Sequence, residues 1–315
     1  MLFTMHFGGI LELMPKTARR RPSFLVILGI LFFLVLILWN FRANIFFGGY
    51  DIVAAQQGLV KHEKIVEVVF ANTESVLTAP AEGQVILPQE EGRRFARGEV
   101  IAKIIPTGVD HGDTKEEITL QAPNAGLFYA SYDNLEHIIT PENLMNMDLN
   151  GLLTQISNTV TFSIDQNVPV SKHSPIGKIV NNLYPTWMFV HLDNSAEMVK
   201  DDTIRVIVGD YEYNGTVMKV VQQPQGAIIR FTQYVRGSTE ARTGAVTWIV
   251  KSPTRGMVVP SSALAIQGEE QGVYVAEEGL IRFRSVKVLD DNGTFANVQG
   301  IREGDKVISN PKQKV

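Results

Sequence analysis

From Phe24 to Trp39 the chain runs through sixteen residues that are all apolar or Gly, with no polar position to give a solvent-facing side. A helix of that composition has no amphipathic face and is not the buried helix of a soluble core. Taken from Pro22 to Phe41 the stretch is about 20 residues, or about 30 Å as a helix, enough to cross the hydrocarbon layer. A cleaved signal peptide is the alternative, but Arg42-Ala43-Asn44 is a poor cleavage site and the run is long for one. Arg19, Arg20 and Arg21 stand just before the run, so residues 1–21 are expected on the cytoplasmic side. Trp39 and Phe41 fall at the outer interface. The expectation is one uncleaved transmembrane helix at 22–41, with residues 42–315 extracytoplasmic. Met14, followed by Pro-Lys-Thr-Ala-Arg-Arg-Arg, also fits as an initiator, so the true start is Met1 or Met14.

Beyond the run the periodicity changes from helical to alternating. Residues 42–64 read as a spacer with a short helix around Ile52–Leu59. Ile65-Val66-Glu67-Val68-Val69-Phe70 is β-branched and strand-like, and Asn72-Thr73-Glu74 turns the chain into Ser75-Val76-Leu77. Thr140 followed by Pro141 is a helix-start signal, and Leu144, Leu149, Leu152, Leu153 and Ile156 give short amphipathic helices within a connector at 139–160. From Val168 onward the pattern is all-β. Pro175–Val180 and Trp187–His191 read as a strand pair across an Asn-Asn-x-x-Pro turn. Thr203–Val208 and Thr216–Val221 flank Asn214-Gly215, which tolerates the positive φ of a tight hairpin. Ala227–Phe231 and Ala245–Val250 add two strands, and six at this spacing predict a small β-barrel.

One phrase occurs twice. Ala79-Pro80-Ala81-Glu82-Gly83-Gln84-Val85 returns as Ala122-Pro123-Asn124-Ala125-Gly126-Leu127-Phe128, 43 residues later. Pro lacks a ladder donor and marks a strand start or edge, while Gly permits a bend. Two strand-bend-strand units predict two half-sheets folded face to face, with Gly83 and Gly126 at equivalent bends. Glu91-Gly92 and Phe95-Ala96-Arg97-Gly98-Glu99-Val100-Ile101 continue the first unit. This order of phrases resembles the biotinyl/lipoyl-like β-sandwich of HlyD-type membrane fusion proteins, the adaptor subunits of bacterial efflux and export systems. Gly256-Met257-Val258-Val259-Pro260-Ser261-Ser262-Ala263-Leu264 is similar to the strand that opens their membrane-proximal domain, and Gly304-Asp305 to its final turn. The resemblance covers roughly residues 65–311 and implies a lipoyl-like sandwich at 65–138, a β-barrel domain at 165–255 and a membrane-proximal β domain at 256–315. The fold class is therefore mainly β with one N-terminal transmembrane helix.

Many adaptors of this kind insert a long α-helical hairpin between the two half-motifs to reach an outer-membrane channel. Here Ile105 to Gln121 is only 17 residues, with Pro106, Gly108 and Gly112 among them and no helical period. The resemblance therefore points to the hairpin-less form of single-membrane bacteria. True lipoyl and biotinyl domains carry a modified lysine in this connector. Lys115 lies there, but no Met-Lys-Met accompanies it and the spacing from Gly98 is several residues too long, so a solvated hairpin lysine is the ordinary reading.

Composition removes further classes. There is no Cys, which excludes disulfides and thiolate chemistry. The net charge of −4 divides unevenly: residues 1–22 carry Lys16, Arg19, Arg20 and Arg21 against Glu12, and residues 43–315 hold −8. An acidic ectodomain argues against nucleic acid as partner. No nucleotide-binding, zinc-protease or nucleophile-elbow motif occurs, and none of the six histidines, His62 included, has another at ligand spacing. Asn214-Gly215-Thr216 and Asn292-Gly293-Thr294 match glycosylation sequons and read as hairpin turns. The reading assigns no catalytic, cofactor-binding or metal-binding residue. It gives a non-enzymatic adaptor that contacts a cytoplasmic-membrane transporter, crosses the bilayer through residues 22–41 and works as a homo-oligomer. The alternatives are an envelope scaffold serving wall or division machinery, and a prosthetic-group carrier through Lys115.

Overall fold

A computed structural model describes residues 28, 31–33, 35, 50–88, 90–107, 116–240 and 242–311. Most of the expected transmembrane run lies outside them. Leu28, Leu31, Phe32, Phe33 and Val35 are helical and exposed. Among the described residues no helix is long and apolar enough to cross a membrane. From residue 50 on the described chain is mainly β and divides into two compact units, one within 61–253 and the other formed by 50–60 with 254–311.

The larger unit holds a sandwich and a barrel. The sandwich is two four-stranded antiparallel sheets. One orders Pro169–Val170, Gly83–Ile86, Val100–Pro106 and Ile118–Gln121; the other orders Arg94–Phe95, Gly126–Tyr129, Pro175–Val180 and Glu74–Thr78. The two orders are the same once the halves are exchanged, so the repeated phrase is the visible part of a two-fold pseudo-symmetry. Ala79 N donates to Ser174 O and its carbonyl accepts from His173 N; Ala122 N donates to Glu99 O and its carbonyl accepts from Gly98 N. Gly98 and His173 both have positive φ, 82° and 68°. The first pair of phrases is 43 residues apart and the second 75, because the helices are inserted in the second half. Inward-facing Leu77, Val85, Phe95, Ile101, Ile104, Phe128, Ile176 and Ile179 fill the space between the sheets. Phe95 and Phe128 meet edge-to-face at 6.2 Å.

The barrel uses Gln56–Ala71, Trp187–His191, Gln225–Phe231, Tyr211–Gln222 and Thr203–Val208 in that order, and Thr203–Val208 closes it against Thr243–Pro260 through Arg205↔Ile249 and Ile207↔Thr247. Alternation aims Val66, Val68, Phe70, Met188, Val190, Val206, Ile229 and Trp248 at its core. On the outer face of the same wall, Val69, Ala71, Phe189 and Ile228 are covered by Leu144, Leu149 and Leu152 of the inserted helices. Those helices are Pro141–Leu144, capped by the Thr140 side chain, and Leu149–Ser157, capped by Asp148, whose carboxylate accepts from Asn150 and Gly151 N.

Four expectations change at this level. The helix expected around Ile52–Leu59 is strand: Ile52–Ala54 pairs with Lys306–Ile308, and Gln56 begins the strand that ends at Ala71. The helix propensity of Ala54-Ala55-Gln56-Gln57 is overridden by ladder partners far away in sequence. Ile65–Phe70 consequently belongs to the barrel and not to a sandwich starting at 65, since its partner is Trp187–His191. Pro175–Val180 and Trp187–His191 are not a pair. The first completes the sandwich and the second the barrel, so the 165 boundary shifts to the crossing at 181–186. The hairpin at Asn214-Gly215 lies instead at Gly209-Asp210, because Val208 pairs with Tyr211; Gly209 has φ of 58°. Gly215 sits in mid-strand, where a Cβ would lie 2.5 Å from Ile229 Cγ2. Asn292-Gly293 does turn, between Lys287–Asp291 and Phe295–Gln299, with Gly293 at φ 85°.

The smaller unit surrounds Ala55, Val259, Val273, Val275, Val298 and Val307. Glu270–Glu277 pairs with Leu264–Gln267 and Leu280–Ser285, and Met257–Pro260 with Phe295–Val298. Circular dichroism of residues 45–315 should be strand-dominated, since regular α-helix among the described residues from 50 onward is confined to 141–144 and 149–157. Helix content of about a third, the average for soluble domains, would contradict this.

Candidate functional site

With no catalytic set to locate, the features able to act are the end of the sandwich and its joint with the barrel. At the sandwich end, Val100–Pro106 and Ile118–Gln121 pair down to Ile104↔Ile118. The stretch between those partners is therefore a connector of a dozen residues or so. Lys115 lies outside the described residues. His62 and His191 are on barrel strands and His173 occupies the sandwich turn equivalent to Gly98, so the structure does not gather them. Among the described residues no group of His, Asp and Glu is placed to hold a metal ion.

The chain passes between sandwich and barrel at Asn72-Thr73 and again at 181–186. The two passages are bonded to each other, Asn181 N donating to Thr73 O at 2.8 Å. Beside them is a buried uncharged network. Thr186 Oγ1 donates to Asn72 Oδ1 at 2.7 Å, Asn72 Nδ2 donates to Ser238 Oγ at 3.0 Å, and Val235 N donates to Thr186 Oγ1. Ser238 and Val235 belong to the barrel loop that follows Gln225–Phe231. Tyr129 of the sandwich faces Tyr234, Thr239 and Glu240 of the same loop; burial pushes its phenol above the ordinary range, and Tyr234 adds to the shift.

Next to it lies a buried charged network that no linear motif announces. Arg242 Nε donates to Asp133 Oδ2 at 2.6 Å, and its terminal NH2 group donates to Asp133 Oδ1 at 3.0 Å and to Glu74 Oε2 at 2.8 Å. Lys178 Nζ reaches the same Glu74 oxygen at 3.3 Å and Glu136 Oε1 at 3.6 Å. Glu136 Oε1 also accepts from Asp133 N. The five side chains are 1–10% exposed, so three carboxylates and two cations share a nearly dry site. A cavity of about 460 Å3 opens beside Glu74 and Glu136, walled by His137, Glu142, Tyr184 and Trp187. Burial alone would raise the Asp133 carboxyl, but the hydrogen bonds and charge of Arg242 outweigh it and hold the group below its usual range. For Arg242 burial works against the cation, and Asp133 with Glu74 reverses it upward.

The sign of the pH dependence follows. A carboxyl whose folded pKa is depressed contributes stability that is present above its unfolded pKa and lost as pH falls through the folded value. Acid unfolding of the larger unit should therefore begin below the ordinary Asp range, near pH 4. Asp133→Asn should flatten that limb in a urea-midpoint series; an unchanged limb would mean Asp133 takes no part in it. Sequence reasoning missed the network because its members are spread from 74 to 242, and each alone reads as a surface charge. The signal present was Lys178 inside the otherwise apolar strand Pro175–Val180.

Residues 74–181 match the family model described as RND related, barrel-sandwich hybrid domain. No curated protein matches the chain in sequence. Among solved structures, ZneB from Cupriavidus metallidurans is similar at 11% identity and TM-score 0.33, over 84% of this chain and 94% of that one. MacA from Actinobacillus actinomycetemcomitans is similar at 12% identity and TM-score 0.35, over 82% of this chain and 99% of that one. Scores of this size do not establish a common arrangement of domains. The family match covers the segment whose half-sheets the repeated phrase predicts, and it ends at Asn181, where the chain leaves the sandwich. Over residues 74–181 the two pseudo-symmetric half-sheets thus coincide with a match to the RND-related barrel-sandwich hybrid domain.

Proposed function

We propose that this chain is a membrane-anchored extracytoplasmic adaptor of an efflux or export system, acting by protein–protein contact with a transporter in the cytoplasmic membrane. The observation that carries the proposal is the barrel-sandwich hybrid domain with its two pseudo-symmetric halves joined by a short connector. Residues 1–21 are cytoplasmic in this reading, 22–41 cross the bilayer, and the remainder is outside. The smaller unit supports the anchor. Its strand Ile52–Ala54 pairs with Lys306–Ile308 and follows Phe41 by eleven residues, a reach of about 40 Å at most when extended. The unit that closes the chain is thereby held near the membrane that the N-terminus enters. Exposed Ile266, Leu280, Leu289 and Phe295 on that unit offer apolar surface for the transporter.

Cross-linking tests the role. A photoreactive residue at Ile266 or Leu289 of the membrane-embedded protein should capture a polytopic transporter. Capture of wall or division proteins with no transporter would replace the proposal with an envelope scaffold. Topology has its own check: protease added to wall-stripped cells should digest the chain beyond about residue 50. A protected C-terminus would contradict the orientation.

A further inference from the structure

The 460 Å3 cavity beside the charged joint lies wholly within the larger unit, between the segment leading into Pro141–Leu144 and the crossing at 181–186. Trp187 and Tyr184 give it aromatic walls, and Glu142 joins Glu74 and Glu136 along its lining. Lys178 and Arg242 reach Glu74 and Glu136 without lining the cavity, so its side of the network is the acidic side. Three carboxylates against two cations leave one negative charge, and the exposed Glu142 adds another. Next to the lining residues along the chain, Leu183 is 65% exposed and Ile138 36%, and Tyr184 itself is 57% exposed. We infer that this cavity is a docking pocket for an arginine side chain that a partner protein presents between apolar residues.

The chemistry of the lining selects arginine. A planar guanidinium can lie against Trp187 or Tyr184 while its N–H groups meet carboxylate oxygens, whereas a lysine ammonium offers only a point charge. An acidic side chain would be repelled by the residual negative charge, and a wholly apolar one would leave that charge uncompensated as it covered it. Exposed Ile138, Leu183 and Tyr184 argue for a macromolecular occupant. They extend the apolar surface past the cavity, where a small cation would leave them in water. The two loops that carry them are also fixed in advance. Asn143 Nδ2 donates to the His137 carbonyl at 3.3 Å and to the Ile138 carbonyl at 3.0 Å. Leu183 N donates to Asn181 Oδ1 at 3.1 Å, and Tyr184 N to the Asn181 carbonyl at 3.2 Å. A pocket held this way loses little freedom when it is filled, which lets a single inserted side chain dominate an interface.

The test pans the full chain in nanodiscs with a phage-displayed library of short random peptides. Enriched peptides should share an arginine flanked by apolar residues. Glu142→Gln and Tyr184→Ala, both at exposed positions, should each weaken a selected peptide about tenfold. Citrulline in place of the peptide's arginine, which keeps the shape and removes the charge, should do the same. No enrichment, enrichment of acidic or wholly apolar peptides, or an affinity that neither substitution changes overturns the pocket. Arginine methyl ester binding as tightly as the peptides would make the cavity a small-molecule site. Self-association of the wild type that is lost in Y184A would give the surface to a second copy of this chain. Either result also overturns the proposal. Failure here leaves the transporter cross-link from Ile266 or Leu289 as it stands, since neither measurement uses the other's surface.

Discussion

Valine at Gly83 or at Gly126 should destabilise the sandwich by about 3 kcal/mol, the upper part of the range for forced overpacking. Neither glycine has positive φ; each opens a strand at a point of closest approach. A Cβ on Gly83 would overlap the Ile105 carbonyl oxygen and lie 2.7 Å from Ile104 Cγ2. A Cβ on Gly126 would overlap the Val180 carbonyl oxygen and lie 2.5 Å from Ile179 Cγ2. The obstruction is the neighbouring backbone, which cannot rotate away as a side chain could. Ile104-Ile105 and Ile179-Val180 are the pseudo-symmetric partners, so the two variants should cost nearly the same. For a unit of this size the loss corresponds to a fall in melting temperature of about 6–12 °C. Thermal melts of G83V and G126V against wild type check it. Unchanged melting in both would show that the paired close approach does not exist, and a loss in only one would remove the pseudo-symmetry argument.

Phe128→Ala should cost more, about 3–5 kcal/mol, as for other fully buried aromatic side chains. Phe128 is 1% exposed, stacks its edge on Phe95 and lies against Gly177, whose added Cβ would come 2.9 Å from Phe128 Cε2. Its pseudo-symmetric counterpart is Val85, which is smaller, so the two halves do not share the sandwich core equally. Phe128 supplies the bulk at the centre, and no neighbour among Leu77, Ile104, Ile176 and Ile179 is long enough to refill the space. Val85→Ala should cost roughly half as much, having fewer methyl groups to lose. Urea titrations of F128A and V85A provide the comparison. Equal losses would mean that the core collapses around Phe128→Ala more completely than rigid packing allows.

The sequence alone determined the features written in consecutive residues. The repeated Ala-Pro-x-x-Gly phrase marks two strand openings because Pro lacks a ladder donor and Gly has no Cβ to meet a crowding backbone. Thr140-Pro141 starts a helix because the cap and the fixed φ act within one turn. The brevity of the connector after Ile105 is a matter of counting. What depended on the tertiary structure is which strand joins which sheet. Ile65–Phe70 has the same β-branched character whether it lines a sandwich or a barrel, and only its partner Trp187–His191 settles the assignment. Pro175–Val180 and Trp187–His191 are neighbours in sequence yet lie in different sheets, since the energy of a ladder comes from pairing across the fold. The charged joint depends most on the tertiary structure. Glu74, Asp133, Glu136, Lys178 and Arg242 are ordinary surface residues along the chain. They become a single buried group because the strands holding Glu74 and Lys178, the inserted segment holding Asp133 and Glu136, and one barrel loop converge, and desolvation then makes each charge depend on the others.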